Sequence, residues 1–91
     1  NNTMGMLEIK IKRVPDGKDK QQFRDNLQWE LDEYFSEHEN SCDSCEVEYL
    51  NEQNFERIWK DQESHKDTPE IKEKYFNLAK EGKLVYVEID W

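Results

Sequence analysis

Cys42 and Cys45 stand three residues apart in the stretch HENSCDSC, with His38 four residues before the pair and His65 twenty after it. Thiolate and imidazole are the ligands zinc prefers, and Cys-x2-Cys supplies half of a tetrahedral set. The other half is poor, because neither His38 nor His65 belongs to a second closely spaced pair. A redox-active pair needs a thiolate stabilised by a helix N-terminus or a nearby cation. Here the pair follows the expected end of a helix and sits among Glu37, Glu39, Asp43 and Glu46, whose charges raise thiol pKa values. The expectation is therefore no metal and no cofactor, with Cys45 as a small buried residue and Cys42 as an exposed thiol.

The other chemistries are thinner still. Carboxylates are so abundant that no pair stands out, and a catalytic pair needs surroundings that push two pKa values apart. There is no GxGxxG, Walker loop, GxSxG or HExxH. Three glycines leave little with which to cradle a phosphate. Lys72, Lys74, Lys80 and Lys83 are interleaved with Glu70, Glu73 and Glu81, so no basic stripe forms to neutralise a nucleic-acid backbone. Neither an enzyme nor a direct nucleic-acid binder is expected.

What does stand out is a run of acids around a tryptophan. The formal net charge is −9, yet between Arg24 and Arg57 there are thirty-two residues without a lysine or arginine and with eleven acids. The rest of the chain has all thirteen bases against the other eleven acids. Such segregation makes a one-signed field that favours cationic partners and repels nucleic acid and anionic membranes. Within it, DNLQWELDEYFSE (residues 25–37) reads as helix, with Phe23, Leu27, Leu31, Tyr34 and Phe35 on one face. Trp29 falls opposite them, among Asp25, Asp32 and Glu33. An aromatic anchor inside a charged rim is the anatomy of a protein-binding hot spot. Glu37, at the helix end, and Glu46 and Glu48, on the strand that follows, extend the same field. Surface acids several ångströms apart also imitate, loosely, the phosphates of a duplex.

The elements that must hold this face are legible from apolar periodicity. Leu7 to Lys12 alternates as a first strand, with Leu7, Ile9 and Ile11 inward, and Val14-Pro15-Asp16-Gly17 turns the chain. Asp19 and Gln22 stand at capping-box spacing before a helix expected to run from Lys20 to near His38. Cys45, Val47 and Tyr49 form the inward side of a second strand. Asn51 can cap a second helix that buries Phe55, Ile58 and Trp59. Thr68-Pro69 opens a third, with Ile71, Tyr75, Leu78 and Ala79 as its stripe and Gly82 at its end. Leu84 to Trp91 closes the chain as a third strand, with Val85, Val87 and Ile89 inward.

The order β-α-β-α-α-β implies an α+β fold, a two-layer sandwich in which three helices cover one face of a three-stranded mixed sheet. Glu8, Lys10, Lys12, Glu46, Glu48, Tyr86, Glu88 and Asp90 would then share the open face, and the lysines argue for the first strand in the middle. Residues 1–5 (NNTMG) carry no pattern and read as a disordered start or cloning remnant, before a single small domain over 6–91. No apolar run approaches the roughly 20 residues of a membrane span, and two cysteines are too few for a secreted disulfide framework, so a cytoplasmic protein is expected.

In composition and architecture the chain resembles the small acidic proteins, many from phages and other mobile elements, that block a nucleic-acid-binding enzyme by occupying its basic groove. It is similar in the same sense to barstar, an acidic domain with helices on a small sheet. That resemblance carries no motif and transfers no residue. It implies an inhibitor or decoy that engages a basic surface of a partner, presented by a nucleic-acid-binding protein. An adaptor recognised through Trp29, and a small zinc- or thiol-dependent protein built on Cys42 and Cys45, are the alternative expectations.

Overall fold

The computed structural model describes residues 6–37 and 42–91. It contains β1 (Leu7–Arg13), α1 (Lys20–Ser36), β2 (Ser44–Tyr49), α2 (Phe55–Trp59), α3 (Pro69–Lys80) and β3 (Leu84–Asp90), the expected order of an α+β domain. The caps follow local chemistry in part. Thr68 Oγ1 accepts the Ile71 amide at 3.3 Å, with Pro69 at the first position of α3. Gly82, at φ +73°, ends that helix in a conformation L side chains rarely adopt. Asp19 holds the N-cap position of α1 but makes no side-chain cap bond, so the expected capping box is not formed. Asn51 does not cap α2 directly; Asn51 and Asn54 exchange two hydrogen bonds, each side-chain oxygen accepting the other's amide at 2.9 and 3.0 Å.

The sheet corrects two expectations. Its strand order is β1-β3-β2, so β3 rather than β1 is central. Both pairings are antiparallel, so the sheet is antiparallel throughout rather than mixed. β1 and β2 do run the same way, but they never touch as neighbours.

The register also decides which residues share a face. Ile9 and Ile11 stand opposite Glu88 and Tyr86, whereas Cys45, Val47 and Tyr49 stand opposite Ile89, Val87 and Val85. Directly paired residues point to the same side, so the apolar sides of β1 and β2 face opposite ways. β3 serves both, which is why Leu84, Val85, Tyr86 and Val87 are all buried. A strand covered on both faces loses its alternation and reads as a continuous apolar run.

The helices divide accordingly and do not share one face. Ile9, Ile11, Leu84 and Tyr86 join Phe55, Ile58 and Trp59 of α2 and Ala79 of α3 in one cluster. Cys45, Val47, Val85, Val87 and Ile89 form a second cluster, against which Phe23, Leu27, Leu31 and Phe35 of α1 pack. The molecule is thus α1, sheet, and α2 with α3, in three layers. Each face is only half covered. The β2 end of the α2/α3 face exposes Glu46 and Glu48, and the β1 end of the α1 face exposes Lys10 and Lys12. The open face expected for all these side chains is split between the two sides. Tyr86 is buried, and Leu7, expected inward, is 46 % exposed.

Candidate partner-binding face

α1 holds the candidate face in place through its flank rather than through a deep core. Phe23, Leu27, Leu31 and Phe35 are half-buried, and the helix has no fully buried residue. Beside that stripe, Gln28 and Arg24 reach the outer edge of β2. The Gln28 carboxamide accepts the Val47 amide at 2.8 Å and donates to the Cys45 carbonyl at 2.9 Å. Arg24 Nε donates to the Val47 carbonyl at 2.8 Å.

The acids stand behind these two anchors. Asp25 pairs with Arg24 Nη1 at 2.7 Å, and Asp32 accepts from Gln28 Nε2 at 3.1 Å. The Arg24 guanidinium is held above its ordinary pKa, first by its hydrogen bond to Asp25, with Glu48 among the charges acting on it. One step further round the helix stands Trp29, 64 % exposed. Glu33 and Glu37 are exposed on the same helix, Glu37 at its C-cap.

Glu46 and Glu48 point to the opposite face of the sheet from α1, so they do not lie beside Trp29 on one flat surface. They lie across the β2 edge from it. Glu46 stands directly opposite Glu88 on β3, a like-charge pair of the kind that costs stability. With Tyr86, Arg57 and Asn54 they line a concavity of about 480 Å³. The face is therefore a band wrapped round an edge strand: Glu88, Glu46 and Glu48 on one side, Arg24 and Gln28 at the rim, then Asp25, Asp32 and Trp29. Among the described residues of this band the cations are Arg24, spent on Val47 and Asp25, and Arg57 at the far border.

Sequence reasoning missed Arg24, Gln28 and Glu88. Gln28 lies next to Leu27 and four residues after Arg24, a position that gives no sign of a strand edge nearby. Glu88 was expected on the open side of its strand, but its partner across the ladder depends on register.

Among the described residues, the two thiols and the His65 imidazole do not assemble. Cys45 belongs to the cluster under α1 and Cys42 packs against it. Burial pushes the Cys45 thiol up to about 11, helped by the neighbouring Cys42 and by Asp32, and burial likewise raises Cys42. Cys42 is half-buried rather than exposed. His65 belongs to the opposite side of the sheet, where its ring lies 4.3 Å from Tyr75 and parallel to Trp59, with Nδ1 3.1 Å from the Tyr75 hydroxyl. His38 falls outside the described residues. Among the described residues no group of three or more histidine, cysteine or acidic side chains is placed to hold a metal.

Compared with protein-family models, with curated proteins and with solved structures, the chain matches none. Among the described residues no helix is long and apolar enough to cross a membrane.

Proposed function

We propose that this is a non-enzymatic acidic binding protein that engages a basic surface of a partner protein, most concretely as an inhibitor or decoy of a nucleic-acid-binding protein. One observation carries the reading. Trp29 is 64 % exposed between Asp25, Asp32 and Glu33, on a helix whose flank is fastened to the strand that bears Glu46 and Glu48. An exposed indole on a positioned helix is an anchor for a pocket, and carboxylates around it steer a cationic approach without supplying most of the energy. The protonated thiol of Cys45 and the imidazole of His65 packed among aromatic rings support a binding role over a catalytic one. A cytoplasmic location belongs to the same proposal.

The test is a pull-down from host lysate at low and at high salt, repeated with Trp29→Ala. The decoy reading expects a basic, nucleic-acid-binding partner, released by salt and weakened by the substitution. Capture that is indifferent to salt but lost with Trp29 would replace the decoy with an adaptor recognised by shape. Capture unaffected by either change would end both readings.

A further inference from the structure

β2 is an edge strand, and its outer side is already occupied. In the antiparallel ladder with β3, Leu50 donates to Leu84 and Glu46 and Glu48 share its phase. The main-chain groups of Cys45, Val47 and Tyr49 therefore point away from the sheet, where a further strand would bind. Gln28 takes the Val47 N–H and the Cys45 C=O, Arg24 takes the Val47 C=O, and Asn54 takes the Tyr49 C=O at 3.0 Å. A primary carboxamide offers an acceptor and a donor in one plane, as a peptide group does. Gln28 thus stands where the peptide group of a neighbouring strand would stand. Asp32 holds its amide, and Arg24 Nη2 reaches its oxygen at 3.3 Å.

We propose that Gln28, backed by Arg24, is a built-in substitute strand that closes the β2 edge against addition of a strand from a second copy of this chain. The carboxylates of β2 are a second guard. In antiparallel self-pairing centred on Val47, Glu46 of one copy would face Glu48 of the other, a repulsive pair. Clasp and charge act on the same edge, one through the main chain and one through the side chains. Recognition at this face is accordingly left to side chains, with Trp29 foremost.

The experiment compares the whole chain with Gln28→Ala and with Gln28→Ala combined with Glu46→Thr and Glu48→Thr. Amide hydrogen exchange is read by NMR and mass by light scattering. In Gln28→Ala the Val47 amide is expected to exchange about tenfold faster or more, as a closed amide becomes an open one, while the β3-bonded amides of Glu46 and Glu48 stay slow. The triple variant is expected to dimerise with rising concentration and to regain protection at Val47. Unchanged exchange at Val47 in Gln28→Ala overturns the proposal, and so does a triple variant that stays monomeric with an open Val47 amide. If Gln28→Ala does not fold, Gln28→Met replaces it, keeping the length of the side chain but neither the acceptor for Val47 nor the donor to Cys45. Faster exchange at Val47 in Gln28→Met supports the clasp; unchanged protection overturns it.

Discussion

The indole N–H of Trp59 donates to the carboxylate of Asp67 at 2.8 Å, tying the loop before α3 to the centre of the core. Trp59 is 3 % exposed and stacks on Phe55 at 5.4 Å. Asp67→Ala leaves a largely buried donor without its partner, which costs about 1–3 kcal/mol. Urea denaturation should show a lower midpoint with an unchanged slope, since the substitution touches stability and not the surface exposed on unfolding.

Trp29 is the opposite case. Trp29→Ala should change stability by no more than about 0.5 kcal/mol, as surface substitutions usually do. Trp59→Ala should cost about 3–5 kcal/mol, the usual range for a buried aromatic. The same Trp29 change should weaken binding to the proposed basic partner by about 2 kcal/mol or more, the size of a hot spot. Thermal melts of the two variants beside binding data for the first check both halves. A Trp29→Ala protein that unfolds would place the indole in the core.

Glu33→Lys should act differently from Trp29→Ala. Glu33 is exposed, so in the proposed complex its charge would steer encounter more than hold the partners together. Stopped-flow mixing should show a slower association rate and a flatter dependence on salt, with little change in dissociation.

Glu8 accepts a hydrogen bond from the Trp91 indole at 2.8 Å and lies 3.3 Å from Lys10. These hold its carboxyl below the ordinary value, the Trp91 bond most strongly, against a smaller opposing effect of burial. A depressed carboxylate favours the fold above its unfolded pKa, so the contribution is complete above about pH 4.3 and fades as pH falls through the lower folded value. Trp91→Phe should flatten that acid limb in melts taken from pH 5 downward. A limb of unchanged slope would mean that the bond does not hold the charge.

Cys45 gives the alkaline counterpart. Its thiol is raised to about 11 by burial, so the neutral form favours the fold. That stability is full below the unfolded value of about 8.5 and is lost as pH rises from there through the folded one. Alkylation of the native protein near pH 8 should be slow at Cys45, and Cys45→Val should lessen the loss of stability above pH 9. Rapid native labelling of Cys45 would contradict its burial.

The parts of the fold that sequence makes legible are those set by local periodicity. Helix phase placed Trp29 outward and Phe55, Ile58 and Trp59 inward, because 3.6-residue spacing needs only the neighbours along the chain. Sheet order was not legible in this way. Placing β1 in the middle assumed that Lys10 and Lys12 share a face with Glu46 and Glu48, yet register sets them on opposite faces. The clue was in Leu84-Val85-Tyr86-Val87, whose unbroken apolar run marks the strand covered on both sides. For the candidate face, the acids and Trp29 are visible in sequence, but the clasp is not. Gln28 and Arg24 acquire their roles only when a helix lies against a strand edge.

The central place of β3 bears on how the chain reaches this state. β1 and β2 each pair with β3 and not with one another, so neither strand has a ladder until residues 84–90 arrive. Every β1–β3 contact joins residues 7–13 to residues 84–90, and closing so long a loop has an entropic cost that must be met before the contact is rewarded. Local structure in α1 and α3 can form early, but the sheet is completed only when β3 is in place. Folding should accordingly be slow for a chain of this size, in the range of milliseconds to seconds that non-local pairing imposes. During synthesis, the half-made chain presents two lone strands. The second of them carries Glu46 and Glu48, charges that keep it from pairing with its own kind while it waits.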